Sequence, residues 1–124
     1  MPLFNFYFEK EQYDEVPCCE EDIVKFMRLI ISKMTLASEC IVISLVYLEK
    51  LMHTSKIEIR YINWESLVFT SILIASKFWE DVNYWNIDYE EHLGLYPLKS
   101  INRMESEFLS LCDYNMYVSS ELYG

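Results

Sequence analysis

The chain has 124 residues, 52% of them apolar, and a formal net charge of −10. That length fits one domain with a substantial core, and two glycines and three prolines are too few for the turns of a β-sandwich, so an all-α fold is expected. The acidity repels phosphate backbones and no basic run offsets it, which argues against nucleic-acid binding and leaves solubility or a basic protein partner as its role.

Residues 1–19 form an N-terminal arm in which Phe4, Phe6, Tyr7, Phe8 and Tyr13 are interleaved with acids. Too short for a core of its own, it is expected to lie extended with its rings on the helical body; a disordered tail is the alternative. A first helix follows Pro17, with Glu20, Glu21 and Asp22 at the positive end of its dipole and Ile23, Phe26, Met27, Ile30 and Met34 at three-four spacing. Thr35 is the expected cap of a second helix, with Glu39 in its first turn. This helix runs to about Met52 and is apolar on nearly all faces (Ile41, Val42, Ile43, Leu45, Val46, Leu48), so it reads as the central rod. After a polar connection from His53 to Arg60, Asn63 is the expected cap of a third helix ending near Trp79, apolar or small on every side from Leu67 to Ala75. Asn86 or Asp88 starts a short fourth helix that Gly94 ends, and Pro97 suits the first turn of a fifth with a stripe of Ile101, Met104, Phe108, Leu109 and Cys112. Ser119 and Ser120 resemble another cap, so residues 20–118 are expected to form the five-helix unit and 119–124 the start of a further helix in a longer natural chain.

The chemistry-bearing residues are sparse. Cys18, Cys19, Cys40 and Cys112 include no Cys-x-x-Cys pair, and with no signal peptide they read as free thiols in a reducing compartment, cytoplasmic or nuclear. His53 and His92 are too far from other ligands for zinc, and neither neighbours a nucleophile; no metal or cofactor is expected. Glu90-Glu91 and Glu105/Glu107 have no apolar pocket to split their acidities and read as solvated acids, so catalysis is not expected. The apolar runs Cys40–Leu48 and Leu67–Ala75 are about half the length of a membrane span. Proline at position 2 and a C-terminus without cysteine carry no lipidation signal. Trp79 and Trp85 flank an acidic loop and read as packing. Lys77 stands out: it closes an apolar helix with no acid placed within a helical turn to pair with it, so it either reaches water past Phe78 or receives a docking partner.

Ala75-Ser-Lys-Phe78 resembles the Ala-Ser-Lys-Phe/Tyr segment of the cyclin box, Arg103-Met-Glu105 the start of its fifth helix, and Tyr47-Leu-Glu-Lys50 its Tyr-Ile-Asp-Arg. Glu39-Cys-Ile-Val-Ile-Ser-Leu-Val-Tyr-Leu-Glu-Lys-Leu51 and Trp85-Asn-Ile-Asp-Tyr89 look like the cyclin Y and phosphate-pathway subgroup, and the resemblance covers about residues 21–124. It implies a single five-helix cyclin box that activates a cyclin-dependent protein kinase, of PCTAIRE, PFTAIRE or phosphate-pathway type, and is not itself an enzyme. By that resemblance Lys77 donates to backbone carbonyls beside the kinase's regulatory helix and Glu105 accepts from backbone amides there, while Ile74, Phe78, Leu109, Tyr114 and Met116 match apolar contact positions. Asp81 is expected to reach an arginine near the kinase activation segment in place of a phosphate; a solvated helix end is the alternative.

The chain also departs from the family. Met27-Arg-Leu-Ile-Ile31 resembles the substrate-docking patch of cell-cycle cyclins, but Met34 stands where that patch has its tryptophan, and Arg28 is expected to pair with Glu49 across the first two helices. Residues 1–31 hold no serine or threonine and residue 2 is not glycine, so the lipid anchoring and phosphoserine control of cyclin Y relatives do not carry over. The competing reading is a cyclin-fold scaffold or transcription-factor core that binds no kinase, for which a basic DNA-facing helix would be needed.

Overall fold

The computed structural model describes residues 20–60, 63–80 and 84–116. They form five helices and no strand: α1 (Glu20–Met34), α2 (Glu39–Ser55), α3 (Trp64–Trp79), α4 (Asn86–Leu93) and α5 (Leu98–Leu111). The expected arm, Asp81, Ser119 and Ser120 lie outside the described residues.

α3 is the axis of the fold. Every residue from Ser66 to Ser76 is buried, and α1, α2 and α5 all pack against it. Its hydroxyls do not compromise that burial, because each returns a hydrogen bond to its own helix: Ser66 to the Asn63 carbonyl (3.2 Å), Thr70 to Ser66 (2.7 Å), Ser71 to Val68 (2.8 Å) and Ser76 to Leu73 (2.7 Å). The central rod is therefore α3 and not α2. α2 buries Cys40, Ile43, Ser44, Tyr47, Leu48 and Leu51 on one side but leaves Val42 45% and Leu45 49% exposed. α1 buries Phe26, Met27, Ile30 and Met34, the stripe its spacing predicts. The short α4 bridges α1 and α5, and its buried Tyr89 meets Phe69 of α3 edge-on with ring centroids 6.0 Å apart.

The helix ends are only partly as expected. Gly94 ends α4 in the left-handed conformation (φ 64°) and Pro97 directly precedes α5. Asp88 reaches back from the first turn of α4 to the Trp85 N–H (2.7 Å), and Glu90 accepts from the Leu98 N–H at the start of α5 (2.9 Å), which gives one of the paired acids a structural use. Thr35 does not cap α2. It is left-handed (φ 54°) in the turn that ends α1, where the Leu36 N–H returns to the Ile31 carbonyl (2.9 Å). Asn63 stands at the head of α3 but faces backward, accepting from the Arg60 N–H (2.7 Å) and donating to the Glu58 carbonyl (3.0 Å). Arg28 and Glu49 are both exposed and no ion pair joins them, because α1 and α2 each pack on α3 and scarcely meet each other.

The acceptor at the head of α2 comes from a distant part of the chain. Glu80, just past the end of α3, takes the Ala37 N–H at 2.5 Å and the Cys40 thiol at 3.1 Å. Burial, and then the Glu80 hydrogen bond, push the Cys40 thiol up to about 12, so it remains a neutral donor. Glu80→Ala is expected to cost about 1–2 kcal/mol, the scale of a lost charged cap, measured as a lower urea midpoint with unchanged slope.

Candidate functional site

The buried run of α3 ends at Ser76, and Lys77 is the first residue to emerge. Its Nζ lies 2.6 Å from Oε2 of Glu105 on α5, with side chains 32% and 19% exposed. The other oxygen, Oε1, accepts from Asn86 Nδ2 at 2.9 Å, and the same amide nitrogen donates to Asn102 Oδ1 at 2.7 Å. The partner missing from the neighbouring turns of α3 thus lies 28 residues further along the chain, brought across where α3 and α5 pack together. The pair is neither buried in the core nor fully solvated. By itself such a contact contributes only about 0–1 kcal/mol to stability, since water screens it.

The other positions that the resemblance marks differ in exposure. Phe78 is 59% exposed and Tyr114 68% exposed, while Leu109 and Met116 are half-buried against the core. Tyr114 owes its exposure to the backbone: Asp113 and Tyr114 are both left-handed (φ 57° and 58°), and the Tyr114 N–H closes the turn onto the Leu109 carbonyl (2.8 Å). That turn is braced from α2, where the Tyr47 hydroxyl donates to the Met116 carbonyl (3.1 Å) and Lys50 donates to the Asn115 carbonyl (3.3 Å). Trp79 donates its indole N–H to the same Tyr47 hydroxyl (3.0 Å), so it ties the end of α3 to the brace. Cys112 lies buried beneath, its thiol pushed up to about 11 by burial.

Two expectations about single residues change. Ile74 belongs to the fully buried run of α3 and presents no surface, so it cannot line a docking face. Trp85, read as packing, is 76% exposed just before α4. Sequence reasoning missed the role of Asn86, which it treated only as a helix start; its one signal was membership of the Trp85–Tyr89 segment.

Among the described residues no group of three or more His, Cys, Asp or Glu side chains is placed to hold a metal ion. Of the two histidines, His92 bonds the Asp88 carbonyl of its own helix through Nδ1 (2.8 Å). No described helix is long and apolar enough to cross a membrane.

The cyclin family model matches residues 12–116. The chain belongs to the cyclin family. Its five helices around a buried third are a cyclin box, a regulatory and non-catalytic fold. In this cyclin the lysine and glutamate singled out by the resemblance are in direct contact. No solved structure matches the chain.

Proposed function

We propose that this cyclin is an activating subunit of a cyclin-dependent protein kinase and docks through the face around Lys77 and Glu105. The observation that carries the reading is the partly buried Lys77–Glu105 pair where α3 meets α5, with Phe78, the next residue along α3, 59% exposed. A small polar centre beside an exposed aromatic anchor is what a specific interface needs. Both groups have bonding capacity to spare. An ammonium has three donors and a carboxylate about four lone-pair sites, so each can keep its partner and still engage backbone groups of a kinase.

The cyclin would act by shifting a population. A kinase of this class, when alone, holds its regulatory helix out of place and its catalytic Lys–Glu pair apart. A partner that binds the inward arrangement better favours it by the difference in affinity. Lys77 would donate to carbonyls at the edge of that helix and Glu105 would accept from amides beside it. The likeness to cyclin Y and the phosphate-pathway cyclins in residues 39–51 and 85–89 favours kinases with PCTAIRE- or PFTAIRE-type helices, or the phosphate-pathway kinase.

The test is binding to a panel of purified kinases covering these types, with the native protein beside a Lys77→Ala, Glu105→Ala double variant. The native protein is expected to retain at least one kinase and raise its activity, and the double variant to lose both effects. Equal binding by the two proteins would refute the assigned face.

A further inference from the structure

We infer that Asn86 is a positioning residue that presents Glu105 to the kinase; this rests on the proposed docking face. The amide of Asn86 has an unusual bonding pattern. Its nitrogen serves two acceptors at once, Glu105 Oε1 at 2.9 Å and Asn102 Oδ1 at 2.7 Å. Its own oxygen is buried and accepts no hydrogen bond. A buried acceptor left unpaired is unfavourable, so something else must hold the amide in this orientation. Turning it over would point Oδ1 at a carboxylate and at another amide oxygen, three acceptors with no donor between them. The residue is therefore held for its NH2 group, and the group it serves in the candidate site is Glu105.

The consequence for Glu105 is geometric. Lys77 alone would hold one carboxylate oxygen and leave the side chain free to swing about that contact. With Lys77 on Oε2 and Asn86 on Oε1, both oxygens are placed, and the lone pairs that remain have set directions. A side chain already ordered in its bound geometry loses less conformational freedom on association. Asn86 touches Glu105 from the first turn of α4, which Asp88 anchors through the Trp85 N–H. Asparagine is the residue that fits: aspartate would set a second carboxylate against Glu105, and alanine would leave it half-tethered.

A double-mutant cycle tests this, because it separates action through Glu105 from a general structural effect. The readout is affinity for whichever kinase of the panel binds the native protein most tightly. Asn86→Ala is expected to weaken binding about 5- to 20-fold, and Asn86→Asp by more. In a Glu105→Ala background, Asn86→Ala is expected to change affinity by less than about twofold. An equal loss in both backgrounds would overturn the inference and leave the docking face standing. If Glu105→Ala itself leaves affinity unchanged, or no kinase of the panel binds, both fall together. Should Asn86→Ala fail to fold, the native amide reports directly: its side-chain NH2 resonances are expected to move in Glu105→Ala, and unmoved resonances would overturn the proposal.

Discussion

Lys77→Ala is expected to weaken kinase binding by about 2–5 kcal/mol, roughly 30- to 4000-fold, while leaving the melting temperature of the free cyclin nearly unchanged. The asymmetry follows from where the pair sits. In the free protein both side chains touch water, and an ion pair of that kind adds little to stability. At a docked interface water is excluded, and removing the ammonium leaves Glu105 desolvated without its closest counter-charge. Titration of the kinase with the single variant, alongside calorimetric melting of the free protein, checks both halves. A large fall in melting temperature with unchanged affinity would assign the pair a purely structural role. The Lys77→Ala, Glu105→Ala double variant should lose less than the sum of the two single variants, because it removes the uncompensated charge as well as the contact.

Phe69→Ala is expected to destabilise the fold by about 3–5 kcal/mol, a large part of the roughly 5–15 kcal/mol that holds a domain of this size together. Phe69 is 1% exposed on α3 and meets Tyr89 of α4 edge-on and Tyr96 of the α4–α5 turn at 4.9 Å. No other residue of α4 is buried apart from Tyr89, so the cavity would open where the short helix is held. Asn86 begins that helix and bonds Glu105. The loss should therefore appear twice: as a drop in melting temperature of about 12 °C at the lower end of the range, and as weaker kinase binding even at temperatures where the variant is folded. Thermal unfolding followed by circular dichroism, with affinities measured well below the transition, separates the two effects.

Local signals identified the helices well. The three-four stripe of α1, the left-handed stop at Gly94 and the proline before α5 each act within a few residues, and the structure has all three. Signals that depend on what lies opposite were misleading. Apolar residues all around α2 looked like full burial, but periodicity cannot tell a core helix from one with a bare greasy side. Val42 and Leu45 show that α2 has such a side. Thr35 and Asn63 have the right chemistry for caps, yet a left-handed turn claims the first and the preceding connection the second.

The candidate site divides in the same way. Lys77 stood out locally as the lysine closing an apolar run, but its grouping with Phe78 and Glu105 was legible only through short segments that resemble a family, because nothing local marks the three as a unit. Ile74 matched as well, but it follows the inward side of α3 while Lys77 and Phe78 turn out. Glu80 carried no sequence signal for its role and Asn86 only its place in the Trp85–Tyr89 segment, since each acts across a gap in the chain: 19 residues from Asn86 to Glu105, and 40 from Glu80 to Cys40.

By itself the amino-acid order determined helical content, helix order and the one lysine that a buried helix could not absorb. Those follow from propensity, periodicity and the cost of placing charge in an apolar run, all of which act over one or two turns. Only tertiary packing decided which helix is central, what caps α2 and which carboxylate meets Lys77. These are contacts between side chains that are remote in sequence, and they exist only once α3 has drawn the other helices around it.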